Sequence, residues 1–243
     1  FLANPALASR KDLRDAVTAA RAAQSGWSKA TAFNRGQILY RIAEMLEGRA
    51  DQFETEVALT SQVTPAKAKA LVSEAVDRWV WYAGWSDKLS AVTGATNPVA
   101  GPYYNFTIPE PLGVVVVTAS DSFIDFIDAI AAAVVSGNSV IALVDGGLSV
   151  PAMTFAEVLA TSDLPAGVIN ILTGSLDELA PWAASHMDVD GFDISAISKK
   201  KRTELKVAGA ENLKRIYSAD GKLTPSRILA FMEQKTVWHT IGV

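Results

Sequence analysis

Hydrophobic positions along the chain repeat with a helical period over the first ninety residues. Within Asp12 to Gln24, the residues Leu13, Ala16, Val17, Ala20 and Ala23 recur at helical spacing. Asn34 to Gly48 places Ile38, Leu39, Ile42, Met45 and Leu46 on one face, and a shorter helix is expected from Asp51 to Thr60, with Asp51 as its N-cap. Pro65, suited to a first helical turn, opens a segment predicted to run to about Leu89. It would turn Leu71, Val76, Trp79 and Val80 inward together with Trp81, Tyr82 and Trp85, and aromatics at these intervals read as core.

The texture changes between Thr93 and Pro111. Gly94, Asn97, Pro98, Gly101 and Pro102 break any helix, and Tyr103 to Ile108 alternates like a strand. Val114 to Thr118 is a β-branched run without polar alternation, the mark of a strand buried on both faces. A helix over Phe123 to Val135, a strand over Ser139 to Val144, a helix over Ala152 to Ala160 and a strand over Val168 to Thr173 follow. A shorter helix, Leu176 to Ala184, and a strand around Val189 to Ile194 continue the alternation. Strands alternating with helices imply parallel βαβ units. The expected fold is α/β: a Rossmann-like parallel sheet (residues 110–197) behind an N-terminal helical layer (1–92), with a β-arm (93–109) between them and a tail (198–243) holding a C-terminal helix and strand.

Composition narrows the function. The chain has 243 residues, a net charge of −4 and no cysteine, which excludes disulfides, thiolate metal sites and thiol nucleophiles. An acidic balance argues against nucleic acid as a partner. The basic run Lys199-Lys200-Lys201-Arg202 reads as a solvated, mobile connector. The longest apolar run, Ala129 to Val135, falls well short of the ~20 residues that span a bilayer, so no membrane partner is expected and the setting is taken as cytoplasmic. The chain opens on Phe1, as a piece of a longer protein would.

Several passages resemble the aldehyde dehydrogenase superfamily: Ala16 to Ala23 with Trp27, Arg35 to Phe53, Trp81 to Lys88, Glu110-Pro111-Leu112-Gly113-Val114, Gly137-Asn138-Ser139-Val140, and Leu164 to Asn170 ending at Thr173-Gly174. The resemblance covers about residues 10 to 195, the family's nucleotide-binding half and its helical leader. It implies a frame built for NAD and a cysteine nucleophile, and this chain departs from both. Where the family has Pro-Trp-Asn-Phe-Pro after the first strand, Thr118-Ala119-Ser120-Asp121-Ser122 stands. The lysine that grips the adenosine ribose is replaced by Ala142 to Gly147, and there is no lysine between Lys88 and Lys199. The glycine of the phosphate-facing turn is lost in Phe192-Asp193-Ile194-Ser195-Ala196. The ending, through Glu211 to Ile216, Ile228 to Met232 and Lys235 to His239, is similar to that of family-16 aldehyde dehydrogenases, in which a truncated second domain follows a complete enzyme.

The resemblance implies a non-catalytic domain that supports assembly. Its partner is expected to be the catalytic aldehyde dehydrogenase domain of the same polypeptide, with homodimerisation and with NAD held by that partner rather than by this chain. The family's β-arm makes contacts between subunits, which nominates Tyr103, Tyr104, Phe106 and Ile108, with a second strand over Thr236 to Ile241 carrying Val237 and Trp238, as interface residues. That strand could pair within the chain or across an interface. The alternatives are a residual NAD-binding regulatory domain, in which Asp145, Gly146 and Gly147 replace the lost lysine, and a part of an active aldehyde oxidoreductase. Ser120, Ser122 and Ser195 lack the surroundings of an activated serine. Asp121, Asp125 and Asp128 share a helical face and read as solvated rather than as a metal site, while His186 and His239 read as surface or structural. Phe123, Ile124, Phe126 and Ile127 are expected to pack against or fill the region where a cofactor lies in the family.

Overall fold

The computed structural model describes residues 3–241. Five helices come first: α1 (Arg10–Lys29), α2 (Ala32–Glu47), α3 (Ala50–Thr60), α4 (Pro65–Ala83) and the short α5 (Leu89–Thr93). Ser9 and Asp12 form a reciprocal capping box at the start of α1, and Thr31 and Thr64 cap α2 and α4. Asp51 is not a cap. Arg49 holds that position without a side-chain bond, and Asp51 lies in the first turn of α3. The helix begun at Pro65 stops at Ala83 rather than Leu89, because Gly84 ends it and Trp85 to Lys88 form turns. Val80, expected inside, is 43% exposed, whereas Val72 and Ala75 are buried.

Two strands of an arm follow, β1 (Ala95–Asn97) and β2 (Tyr103–Pro111), and then the alternating core. The core comprises β3 (Val114–Ala119), α6 (Phe123–Val134), β4 (Ser139–Val144), α7 (Ser149–Ala160), β5 (Ile169–Thr173), α8 (Leu176–Ser185), β6 (Gly191–Asp193), α9 (Lys199–Ala210) and β7 (Arg215–Tyr217). The short α10 (Ser226–Leu229) and the long β8 (Met232–Thr240) complete the order. The five core strands are parallel in the order β5-β4-β3-β6-β7. The fifth strand and α9 lie beyond Ile197, so residues that the sequence suggests are tail extend the sheet. The lysine-rich run is the first turn of α9, and Arg202 is tied down by the carbonyls of Ile197 and Ser195 at 2.8 Å each.

Side-chain alternation sorts the sheet into two cores. Val115, Val117, Val140, Ala142 and Val144 face α6, α7 and the stack of α2 to α4. Val114, Val116, Ile141 and Leu143 face α1, α8 and Leu205 of α9. The N-terminal helices are therefore not one layer: α1 covers the opposite face from α2, α3 and α4. Asn138, fully buried, joins three segments at the sheet's lower edge. Its Oδ1 accepts from Gly113 N–H at 2.8 Å, and its Nδ2 donates to the carbonyls of Ala133 and Phe231.

The arm is a separate three-stranded antiparallel sheet, β1-β2-β8. β8 pairs with β2 within this chain over nine residues, from Tyr103 opposite Thr240 to Pro111 opposite Met232. Its other edge is open among the described residues.

Candidate functional site

The chain runs from β3 outward to β5 and then crosses back through α8 to β6, on the other side of β3. In doubly wound sheets the crevice at such a reversal, beyond the carboxyl ends of the strands, is where ligands bind. A cleft of about 280 Å³ lies there, lined by Thr118 to Ser122, Asp125, Ser195, Ala196 and Arg227 among others. It sits just below the ~300–1,000 Å³ of ordinary small-ligand pockets.

Its floor is a closed polar cluster. Asp193, at the end of β6, is wholly buried, and its Oδ2 accepts from Arg227 Nε at 3.0 Å and Nη2 at 2.8 Å. Its Oδ1 accepts from Ser195 N–H at 2.9 Å and from the Ser195 hydroxyl. Ser195 Oγ in turn accepts from Ala219 N–H at 2.8 Å. Thr118 Oγ1 donates to the Asp193 carbonyl at 2.9 Å and accepts from Ala196 N–H at 3.2 Å. Burial alone would push the Arg227 guanidinium down, but the Asp193 charge and hydrogen bonds outweigh it and leave its pKa raised. Arg227 comes from α10, so the C-terminal segment neutralises the Asp193 carboxylate.

The rim is acidic. Ser122 caps α6 by accepting from Asp125 N–H at 3.2 Å, and Asp121 accepts from Ser120 Oγ at 2.8 Å. The amide end of α6 thus carries its own carboxylates, and these oppose an incoming phosphate. Asp128, expected to be solvated with them, is 5% exposed and faces inward, with Oδ2 accepting from Arg78 Nη1 at 2.7 Å. Phe123, Phe126 and Ile127 do not enter the cleft. They pack into the core, where Phe123 meets Phe53 and Phe126 meets Phe155 edge-on.

The weaker candidates lie elsewhere. Asp145 Oδ1 accepts from Gly146 N–H at 2.7 Å and Oδ2 from Leu176 N–H at 3.2 Å, so the carboxylate caps its own turn and the start of α8. A Cβ on Gly147 would sit 3.0 Å from the Thr60 carbonyl, which makes this glycine a packing requirement against α3. Among the described residues no cluster of His, Asp or Glu could hold a metal ion. Neither histidine lines the cleft. The nominated arm residues split by register onto two faces. Tyr104, Phe106, Ile108 and Val237 share one, and Tyr103 and Trp238 share the other, their rings 5.8 Å apart. Trp238 is 59% exposed and Tyr104 49%. Arg227 went unnoticed in the sequence, although a lone aspartate ending a buried strand demands a cationic partner, and Arg227 is the one positive charge next to the apolar run Ile228 to Met232.

The sheet order and the crevice are those of a doubly wound α/β fold, and comparison with known proteins supplies the family. The family model for the aldehyde dehydrogenase family matches residues 1–229. The chain belongs to the aldehyde dehydrogenase family. It is 29% identical over 241 residues to an aldehyde dehydrogenase of Emericella nidulans, covering 97% of this chain and 48% of that protein. It is 30% identical to the cytosolic 10-formyltetrahydrofolate dehydrogenase of Mus musculus, covering 92% of this chain and 26% of that one. Among solved structures, the NAD+ complex of an aldehyde dehydrogenase from Bacillus cereus superposes with a TM-score of 0.77 at 26% identity, over 86% of this chain and 43% of that chain. HpcC from Thermus thermophilus does so with a TM-score of 0.81 at 25% identity, over 88% and 41%. This chain thus spans about half the length of the aldehyde dehydrogenases it matches.

Proposed function

We propose that this chain is a non-catalytic aldehyde dehydrogenase-like module that supports the assembly of a longer, two-domain NAD-dependent aldehyde dehydrogenase of the family-16 kind. The arm carries the reading. A nine-residue strand with an open edge presents backbone donors and acceptors for strand addition, and the aromatic and aliphatic side chains on its two faces are left partly exposed. The partner is the catalytic domain of the same polypeptide, and homodimerisation accompanies that contact.

The chemistry of the crevice supports the same reading. The family nucleophile has no counterpart, because the chain has no cysteine. The residues at the sheet edge do not fit a dinucleotide: Asp121 and Asp125 oppose its phosphates, Arg227 is already committed to Asp193, and the Asp145 carboxylate is spent on backbone amides. NAD is therefore assigned to the catalytic partner domain.

The test exploits the arm's register. Phe106 and Val237 face each other directly across β2 and β8. The pair Phe106→Glu/Val237→Lys replaces an apolar contact with a cross-strand ion pair, which keeps the sheet but makes its apolar face polar. In sedimentation velocity the unmodified chain should associate, alone or with the catalytic domain, and the double variant should run as a 25.8 kDa monomer with unchanged circular dichroism. An unchanged sedimentation coefficient in the variant would sink the proposal.

A further inference from the structure

The switch-point crevice does not suit a dinucleotide, yet it keeps a deep donor and a pair of carboxylates that the fold does not use. Asp193 takes two of the three guanidinium nitrogens of Arg227, Nε and Nη2. Nη1 donates to nothing among the described residues. The Arg227 side chain is only 6% exposed, but Nη1 is not sealed into the core: it keeps accessible surface, and Arg227 forms part of the cleft wall. Buried polar groups are nearly always bonded, so this donor calls for an oxygen that arrives in the cleft.

The charge of the cleft is unbalanced as well. Arg227 is the one base among its lining residues, and Asp193 neutralises it. Asp121 and Asp125 are left without a cation. One Asp121 oxygen accepts from the Ser120 hydroxyl, and the Asp125 carboxylate bonds to nothing among the described residues. Two exposed carboxylates at a helix start are by themselves a solvated rim. Here they share a cleft with an unfilled, nine-tenths-buried donor on another element, α10, and the two features ask for opposite ends of one molecule.

We propose that the crevice binds a small organic cation carrying an oxygen acceptor, an amino alcohol by chemical class. Its ammonium lies against Asp121 and Asp125, and its hydroxyl oxygen accepts from Arg227 Nη1. Charge-assisted hydrogen bonds of this kind are the strong ones, and both ends of the ligand would make them. The rest of the lining fits a small guest: side chains such as Ala119 and Ala196 are short, and no aromatic ring stands in the wall for a planar base to stack on.

The test is a nuclear magnetic resonance titration of the isotope-labelled whole chain with ethanolamine at neutral pH, ionic strength held constant with sodium chloride. Saturable shifts are expected, confined to the amides of residues 118–125, 195–196 and 219–221 and to the Arg227 side-chain Nε–H. Propylamine has the same charge and size but a methyl group in place of the hydroxyl. It should bind about tenfold more weakly, the worth of one hydrogen bond to a charged group, and should leave the Arg227 resonance unmoved. The double variant Asp121→Asn/Asp125→Asn should weaken ethanolamine by about tenfold or more. Should that variant fail to fold, the comparison of the two amines carries the test alone. No saturable shift with ethanolamine, equal affinity for the two amines, or unchanged affinity in the double variant would overturn the proposal. The site is independent of the arm, so a failure here leaves the sedimentation result untouched.

Discussion

At the scale of single residues, two buried carboxylates carry most of the electrostatic stakes, and they behave oppositely. Asp193 is matched by Arg227 with side-chain exposures of 0% and 6%, so removing either partner strands a charge in the core. Asp193→Ala should therefore cost about 3–5 kcal/mol in urea unfolding, and Asp193→Ala/Arg227→Met should recover much of it. A double variant no more stable than the single one would show that Arg227 is not held by the pair. Asp128 is poorly served: Arg78 bonds one oxygen, the other is buried without a partner, and burial holds its pKa up at about 6 from an ordinary 3.8. The folded state binds this proton more tightly than the unfolded chain does. The stabilisation it brings is thus complete below pH 3.8 and is lost as pH rises through about 6. Relative to Asp128→Asn, the wild type should lose stability between about pH 4 and about pH 7, measured as urea midpoints across that range. A gap that stays constant with pH would contradict the assignment.

At the scale of elements, the chain announced its helices and strands through periodicity but concealed where they end and what they touch. Pro65 and Thr64 mark a helix start unmistakably, whereas its end at Ala83 rests on Gly84 adopting a capping turn, and the aromatic run Trp79 to Trp85 masks that stop. The clean β-branched runs gave β3 and β4 almost to the residue, because burial on both faces leaves no room for polar side chains. β7 is only three residues long and follows a helix that looks like a basic connector, so neither announced itself. That helix, α9, is electrostatically frustrated. Lys199, Lys200 and Lys201 crowd its amide end, and Lys201 alone of the three finds a carboxylate among the described residues, Asp177 at 2.6 Å. Reversing the sign with Lys200→Glu should stabilise the protein by about 0.3–1 kcal/mol, and more so at low salt. Thermal melts in low and high salt would check this, and a lowered melting temperature would mean that the lysine makes a contact of its own.

At the scale of the whole molecule, the aldehyde dehydrogenase family is visible in the frame, a parallel five-stranded sheet whose switch-point crevice is lined by Asp121, Asp125 and Arg227. The frame was legible because glycine and asparagine positions such as Gly113 and Asn138 belong to the fold itself: a Cβ at Gly113 would collide with the Asp190 carboxylate, and Asn138 bridges three segments. The site was only half legible. The missing cysteine and lysine stand out in the sequence, but the pairing of Asp193 with Arg227 spans 34 positions and appears only when the C-terminal segment is folded back.

The central claim is that a nucleotide-binding frame now serves as scaffold. Calorimetric titration of the chain with NAD⁺ tests it most directly. No saturable heat is expected at micromolar cofactor, in the wild type and in Asp145→Ala alike. Micromolar, saturable binding that weakens in Asp145→Ala would contradict the claim and make this a cofactor-binding domain.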